Sequence, residues 1–314
     1  MEGKIVVTGS TGFLGTNIMS QLKKQGYKNV VGLSSKDYDL VEQSQVRKMF
    51  KDHRPNIVIH LAAYVGGILA NKNYPADFCY KNLIINTSVI HEACQFGVNK
   101  FVTCIGGCSY PADAVSPISE DMLFKGLPQR ESAPYSLAKA MSVIQSNAYR
   151  RQYGMNAITL VPGNMYGPHD NYTKENSHVI PGLIRRFYEA KKNSLPEVVV
   201  WGSGKPTRDF VYVEDVAECI VKATEAYSGQ EIINISSGTE TSVKQLVETI
   251  SSLVDYKGKI VWDTTKPDGQ MRKVFDVIRM KKLLGFECKT ILEDGLKKTI
   301  KWFEENYNKG LVRL

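Results

Sequence analysis

The feature that most constrains the fold is a glycine-rich turn near the amino terminus. It reads Gly9-Ser10-Thr11-Gly12-Phe13-Leu14-Gly15 and lies between a short apolar run and a helical pattern that starts at Thr16. Glycines at this spacing permit a tight turn and let a pyrophosphate approach the helix N-terminus, where free N–H groups and the helix dipole favour negative charge. A plain strand-to-helix turn can show the same triplet, but its place directly after the first strand predicts a dinucleotide-binding fold.

Strands and helices alternate through the first half of the chain. This order indicates an α/β protein with a doubly wound parallel sheet, as in Rossmann folds. After Pro162 the elements become shorter and more mixed. We therefore expect a dinucleotide-binding Rossmann domain at residues 1–165 and a smaller α/β substrate lobe at residues 166–314, with the chain crossing back between them.

Composition narrows the classes of partner. The 314 residues carry a net charge of +8, which suits an anionic partner. The basic residues are scattered, so we expect a phosphorylated small molecule and no nucleic acid. The six cysteines show no CxxC pair and no zinc spacing, which indicates no metal site and the reduced thiols of a cytoplasmic protein. A signal-peptide pattern and a bilayer-length apolar stretch are both lacking, so we expect no membrane association.

A second motif is Tyr135-Ser136-Leu137-Ala138-Lys139. On a helix, residues four apart share one face. An ammonium held near a phenol favours the phenolate and lowers the phenol pKa from its usual value of about 10. Such a tyrosine can exchange a proton with a substrate oxygen, although the same spacing is common on solvated helix faces.

The end of the second predicted strand bears on the cofactor. It continues as Ser34-Ser35-Lys36-Asp37. Hydroxyls and a lysine suit the 2′-phosphate of NADPH, whereas an acidic residue there binds the ribose hydroxyls of NAD. Asp37 and Asp39 lie slightly later, so NAD remains possible, and a solvated turn is the structural alternative.

Further stretches of the sequence indicate a family more specifically than either motif does. With the glycine turn and the Tyr-x-x-x-Lys pair, they make the chain resemble the GDP-L-fucose synthase family of the extended short-chain dehydrogenase/reductase superfamily, over nearly its whole length. The resemblance implies a homodimer formed through helices of the nucleotide-binding lobe, with residues 77–96 and 135–149 as candidates. The stretches are Val65-Gly66-Gly67-Ile68, Tyr74-Pro75-Ala76-Asp77-Phe78, Tyr166-Gly167-Pro168-His169-Asp170-Asn171, Asn176-Ser177-His178-Val179-Ile180-Pro181, Val198-Val199-Val200-Trp201-Gly202-Ser203-Gly204 and Lys266-Pro267-Asp268-Gly269.

The resemblance also implies catalytic roles. Tyr135 would protonate the carbon-4 oxygen of a GDP-4-keto sugar as NADPH delivers hydride, and Lys139 would bind the nicotinamide ribose and lower the tyrosine pKa. Cys108 and His178 would invert carbons 3 and 5, whose protons the 4-keto group acidifies. Taken alone, a free cysteine is more often an inert core residue and a histidine a structural one.

The resemblance also assigns residues to the two ligands. The GDP-sugar would meet Arg186, Trp201, Arg208 and Asp268, with Arg272 as a further phosphate candidate, since the arginine fork suits a diphosphate. The alternatives are a solvated helix face for Arg185-Arg186 and a core aromatic for Trp201. The cofactor would meet Gly9, Ser10, Thr11, Gly12, Phe13, Leu14, Gly15, Ser34, Lys36, Asp39, Leu40, Ala62, Lys139, Pro162, Asn164, Met165 and His178.

The chain departs from the family pattern beside the catalytic cysteine. The family has a Ser-Ser-Cys run whose first hydroxyl hydrogen-bonds the substrate carbonyl oxygen, whereas this chain has Gly106-Gly107-Cys108. Losing such a donor costs on the order of 10²–10³ in rate; Ser109 or a water is a candidate replacement. Ser132-Ala133-Pro134 also replaces the usual Asn-Glu-Pro before the tyrosine.

Three readings of the function follow. The first is an NADPH-dependent reductase of a GDP-4-keto sugar, a 6-deoxyhexose or a heptose, with prior 3,5-epimerisation. The second is an epimerase that holds its nicotinamide tightly without net redox, which the loss of the hydroxyl at Gly106 favours. The third is a non-catalytic nucleotide sensor, against which the presence of all four catalytic groups argues.

Overall fold

The computed structural model describes residues 1–174 and 177–314, so Asn176 of the quoted stretches lies outside the described residues. The strands are β1 (Ile5–Thr8), β2 (Val30–Leu33), β3 (Ile57–His60), β4 (Lys100–Cys104), β5 (Ala157–Pro162), β6 (Asn164–Tyr166), β7 (Glu197–Trp201), β8 (Thr207–Tyr212), β9 (Ile233–Ile235), β10 (Glu240–Ser242), β11 (Lys259–Asp263) and β12 (Arg272–Lys273). The helices are α1 (Phe13–Lys24), α2 (Gln43–His53), α3 (Ile68–Asn73), α4 (Pro75–Gln95), α5 (Ala133–Tyr153), α6 (Val179–Lys192), α7 (Val213–Ala226), α8 (Val243–Val254), α9 (Ile278–Leu284) and α10 (Leu292–Tyr307).

A parallel sheet in the order β2-β1-β3-β4-β5-β9 forms the centre of the molecule. Its strands are apolar on both faces because helices cover both. Ile5 and Val7 of β1 pack with residues of α1, α7 and α9, whereas Val6 between them packs with residues of α2 and α4. Alternate residues of one strand thus enter different cores on the two faces of the sheet, as they do in a doubly wound sheet. This arrangement confirms the predicted fold class.

The second lobe is built on β8. Strands β10, β12 and β6 all pair with β8, while β7 and β11 form a separate parallel pair. Helices α6, α8 and α10 enclose a core that includes Phe187, Leu246 and Phe303, each fully buried.

The second half of the chain also contributes to the first lobe. Strand β9 extends the central sheet beside β5, and α7 packs against α1. The boundary between residues 165 and 166 stays a prediction. In the part of the chain that the structure describes, no helix has the length and apolar character required to cross a membrane.

Candidate active site

The glycine turn leaves the N-terminus of α1 open. Gly9 has a φ of +70°, and a Cβ there would lie 2.8 Å from the backbone nitrogen of Ala62, while one on Gly15 would lie 2.1 Å from Gly9 O. Both positions therefore require glycine. Gly12 caps the helix without a side-chain hydrogen bond, and no acidic residue lies in the first turn. An uncapped helix end beside a closely packed turn fits the pyrophosphate of a dinucleotide.

The loop after β2 carries the predicted adenosine contacts. The backbone N–H and the hydroxyl of Ser34 both donate to Asp37 Oδ2, at 2.8 Å each. Both bonds lower the pKa of Asp37, and the backbone bond has the larger effect. Asp39 accepts from Val41 N at 3.0 Å. The Ser34 hydroxyl is thus turned toward a carboxylate, and exposed Lys36 is the predicted residue left to face a 2′-phosphate.

Helix α5 carries Tyr135 and Lys139. Lys139 is 3% exposed, and burial lowers its pKa to about 8. The expectation that Lys139 lowers the tyrosine pKa is not met in this structure. Burial is the largest influence on Tyr135, and the Cys108 thiol adds to it, so the phenol pKa is raised. The phenol is therefore protonated at neutral pH, as a proton donor must be, but burial makes it a weaker acid than an exposed tyrosine.

Cys108 lies on a single 3-10 turn, Gly107–Ser109, that follows β4. Its thiol faces both Tyr135 and Lys139, so these three predicted catalytic groups converge at the carboxyl end of the sheet. His178 is the N-cap residue of α6 in the other lobe and is exposed to solvent. The surrounding protein still desolvates the imidazole and lowers its pKa, so it is neutral near pH 7. The electrostatic contacts described for Cys108 join it to Tyr135 and Lys139 of α5 and to Lys273 of β12, and none of those described joins it to His178.

A small recess adjoins Cys108. Its polar lining comes from Gln129, Gln270 and Lys273, which the sequence reasoning missed. Lys273 also faces the Cys108 thiol and Arg208; burial and, after it, Arg208 lower the lysine pKa, while the thiol opposes them. The sequence feature that could have indicated Gln270 and Lys273 is their position next to the predicted substrate residues Asp268 and Arg272.

The Ser109 hydroxyl is not available to replace the missing serine. It donates to the backbone oxygen of Ser136 at 3.1 Å and is 3% exposed, so the expectation that it stands in is wrong. Gly106 has φ −86° and ψ 150°, a backbone that any residue adopts. A Cβ at Gly106 would meet Cys108 Sγ at 3.1 Å, whereas one at Gly107 would lie 2.4 Å from the Phe275 ring.

Three of the predicted substrate residues are free to contact a ligand. Arg186 Nη1 donates a hydrogen bond to Val199 O at 2.7 Å, and Arg208 Nη1 donates one to the backbone oxygen of its neighbour Thr207 at 2.8 Å. Burial lowers the pKa of both guanidinium groups. Trp201 is 64% exposed, which rules out the core-aromatic alternative.

Asp268 and Arg272 are held by internal contacts instead. Asp268 accepts from the backbone N–H and the hydroxyl of Ser203, at 2.6 and 2.7 Å. Arg272 forms a fork with Glu240, with Nε–Oε1 and Nη2–Oε2 distances of 3.0 and 2.9 Å. Both side chains are thus held by neighbouring residues, and the charge of Arg272 is already paired with that of Glu240.

The remaining predicted cofactor residues lie along the strand ends. Pro162 pairs with Ile235 across β5 and β9, and Ala62 N donates to Thr8 Oγ1 at 3.3 Å. Asn164 donates to Asp209 O at 2.9 Å. Leu40 and Met165 are partly buried against the two cores of the sheet.

Comparison with known proteins identifies relatives of this chain. The family described as NAD dependent epimerase/dehydratase matches residues 5–236. The chain is 43% identical to GDP-L-fucose synthase 1 of Arabidopsis thaliana over 305 residues, covering 97% of this chain and 94% of that protein. It is 38% identical to GDP-L-fucose synthase of Escherichia coli (strain K12), covering 98% of each.

Solved structures are similar over the same length. A GDP-L-fucose synthetase from Naegleria fowleri bound to NADP has a TM-score of 0.90 and 31% identity, covering 100% of this chain and 97% of that chain. A GDP-6-OMe-4-keto-L-xylo-heptose reductase from C. jejuni has a TM-score of 0.90 and 30% identity, covering 98% and 99%. The chain belongs to the NAD dependent epimerase/dehydratase family and, within it, to the GDP-L-fucose synthase family.

Proposed function

We propose that the protein is an NADPH-dependent epimerase/reductase that inverts carbons 3 and 5 of a GDP-4-keto sugar and then reduces carbon 4. The observation that carries the proposal is the convergence of Tyr135, Lys139 and Cys108 at the carboxyl edge of the parallel sheet, the edge at which α1 also begins. A protonated phenol, an ammonium and a thiol at one strand end provide a proton donor, a positive charge and a base.

The reduction needs a proton at the carbon-4 oxygen. NADPH, when bound, supplies the hydride. Tyr135 is protonated before the reaction and gives its phenol proton to the oxygen as the alkoxide forms there, because an alkoxide is more basic than a phenolate. Buried Lys139 lies one helical turn beyond Tyr135, and its ammonium would hold the nicotinamide ribose of the bound cofactor.

The epimerisation needs a base and an acid on opposite sides of the sugar. Cys108 comes from the central sheet and His178 from α6 in the second lobe, so the two approach from different walls of the cleft. One group removes a proton next to the ketone and the other returns a proton to the opposite face. Lys273 interacts with the Cys108 thiol and so places a positive charge beside the proposed base.

The cations of the second lobe suit the diphosphate. Arg208 and Lys273 are neighbours across the β8–β12 pair, and their mutual repulsion favours an anion between them. Arg186 and the exposed ring of Trp201 lie at the same lobe. The names of the relatives support GDP as the nucleotide, and the 38–45% identity to GDP-L-fucose synthases supports a 6-deoxyhexose as the first sugar to test.

We also propose a cytoplasmic homodimer. Leu137, Met141 and Ile144 of α5 are 38–47% exposed and follow helical spacing, and Tyr80 of α4 is 59% exposed beside them in the same helix pair. An apolar stripe of this kind on a surface helix favours association. The six cysteines, all among the described residues, are free thiols, which supports a reducing compartment.

One assay separates the candidate functions. The protein is mixed with NADPH and GDP-4-keto-6-deoxy-mannose in heavy water, and both cofactor absorbance and sugar deuteration are followed. Cofactor oxidation with deuterium at carbons 3 and 5 supports the proposal. Deuterium uptake without oxidation would instead support the epimerase without net redox, which the missing hydroxyl at Gly106 favours. Binding with neither change would support the sensor.

A further inference from the structure

A buried chain of hydrogen bonds connects the glycine-turn region to Lys139. Ala62 N donates to Thr8 Oγ1 at 3.3 Å, and Thr8 Oγ1 lies 2.8 Å from His60 Nδ1. His60 Nε2 lies 3.2 Å from Asn86 Oδ1, to which Lys139 Nζ also donates at 3.4 Å. The four side chains are each 3% exposed or less. Thr8, His60 and Asn86, which are neutral and shielded from solvent, therefore connect the glycine-turn region to the Lys139 ammonium.

The partners determine the direction of each bond. The Lys139 ammonium can only donate, so the Asn86 atom that it meets is the amide oxygen, and His60 Nε2 must donate to the same oxygen. In the neutral ring Nδ1 then carries no proton and accepts the hydroxyl proton of Thr8, whose oxygen accepts from Ala62 N. Burial, with Lys139 second, lowers the pKa of His60 to about 3, so the ring stays neutral.

The same reasoning fixes the amide of Asn86. Its Nδ2 donates to Ala138 O at 3.4 Å, and its oxygen accepts from both His60 and Lys139. The reversed amide would point N–H groups at two other donors, which is unfavourable in a buried site. The histidine therefore holds the amide oxygen toward the ammonium.

We infer that His60 and Asn86 are positioning residues that hold the Lys139 ammonium in place and keep it charged. This inference rests on the proposed function, in which that ammonium holds the nicotinamide ribose of the cofactor. The other groups that act on the Lys139 charge are the thiols of Cys104 and Cys108. Burial alone disfavours the ammonium, and a hydrogen bond to an amide oxygen favours it.

The test is the titration of Lys139 itself. In protein carrying carbon-13 at the lysine ε-carbon, the Lys139 signal is assigned with Lys139→Met and followed across about pH 6 to 10. Asn86→Leu removes the acceptor and is expected to lower the midpoint by about one pH unit, whereas Asn86→Asp places an anion there and is expected to raise it by about one unit.

His60 is tested by a matched pair. His60→Leu frees the amide and is expected to lower the Lys139 midpoint by less than Asn86→Leu does. His60→Gln offers a donor and an acceptor in similar places and is expected to restore it. Asn82→Leu is the control, because Asn82 is as buried on the same helix but bonds to Tyr64 and Phe78. It should lower stability and leave the midpoint unchanged.

Midpoints that match wild type in Asn86→Asp, His60→Leu and, where it folds, Asn86→Leu would overturn the inference and leave a structural role only. NADPH binding, followed by the fluorescence of the reduced cofactor, separates this failure from failure of the proposed function. Shifted midpoints in a protein that binds no NADPH would support the positioning role and contradict the proposed function. NADPH binding with unshifted midpoints would contradict the positioning role alone.

Discussion

The hydroxyl of Ser109 donates a hydrogen bond to the backbone oxygen of Ser136, 3.1 Å away, and so ties the cysteine turn to the helix that carries the catalytic tyrosine. The bond is buried on both sides. It fixes where the thiol of Cys108 lies relative to Tyr135, although these residues are far apart in the chain. The hydroxyl next to the cysteine therefore serves the geometry of the site and not the substrate.

This relationship predicts the behaviour of Ser109→Ala. Loss of one buried hydrogen bond should lower the free energy of unfolding by about 1 kcal/mol. Urea unfolding measures that change, and single-turnover oxidation of NADPH measures the reduction step, which should slow only slightly. A variant as stable as wild type but slowed by on the order of 10² would show that Ser109 acts on the carbonyl after all.

The glycine pair before Cys108 gives a second prediction. Gly106→Ser places a hydroxyl where the family has one, on a backbone that accepts it, with Cys108 Sγ at 3.1 Å from the new Cβ. We expect a folded enzyme whose reduction step is faster, by up to about 10²-fold. Gly107→Ser is the control, since its Cβ would collide with Phe275, and it should be destabilised. A slower Gly106→Ser enzyme would mean that the site is organised around the glycine.

Cofactor preference should depend on Lys36. Lys36→Glu replaces the exposed cation that follows β2 with an anion, so a 2′-phosphate is repelled. We expect kcat/KM for NADPH to fall by about tenfold while kcat/KM for NADH changes little. Lys28→Glu makes the same charge change before β2 and should leave the ratio of the two values unchanged. An unchanged ratio in Lys36→Glu would assign the phosphate to another residue.

The proposed dimer depends on the apolar stripe of α5. Met141→Glu buries a charge in that interface and should convert the dimer to a monomer in sedimentation velocity. Leu195→Glu is the matched control, because Leu195 is similarly exposed, 48% against 40% for Met141, but lies outside α4 and α5. A wild-type protein that sediments as a monomer would contradict the proposal directly.

Sequence patterns predict the long elements well and the short ones poorly. The apolar periodicity predicts helices at residues 43–53 and 243–254 and a strand at 197–201, and α2, α8 and β7 have those bounds. Strands β6, β10 and β12 contain two or three residues each and were not predicted. Their residues become strands by pairing with β8, and such a long-range contact leaves no local periodicity.

The same distinction holds in the site. Tyr135 and Lys139 stand out because one helix turn joins them, whereas Cys108 is identified only by the resemblance to the family. The structure brings these three groups together, but the raised pKa of the phenol differs from the expectation, since burial is invisible in a spacing pattern. His60 and Asn86 lie 26 residues apart and meet only in the folded protein. Internal partners such as Glu240, which neutralises Arg272, are hidden in the sequence for the same reason.

The central claim is that the phenol serves hydride transfer while the thiol and imidazole serve proton exchange. The most direct measurement compares wild type with Tyr135→Phe in heavy water, using NADPH and GDP-4-keto-6-deoxy-mannose, and locates deuterium in the sugar by NMR. The account predicts that Tyr135→Phe still incorporates deuterium next to the ketone but reduces carbon 4 at least about 10²-fold more slowly than wild type. Equal loss of both activities in Tyr135→Phe would contradict this division of labour.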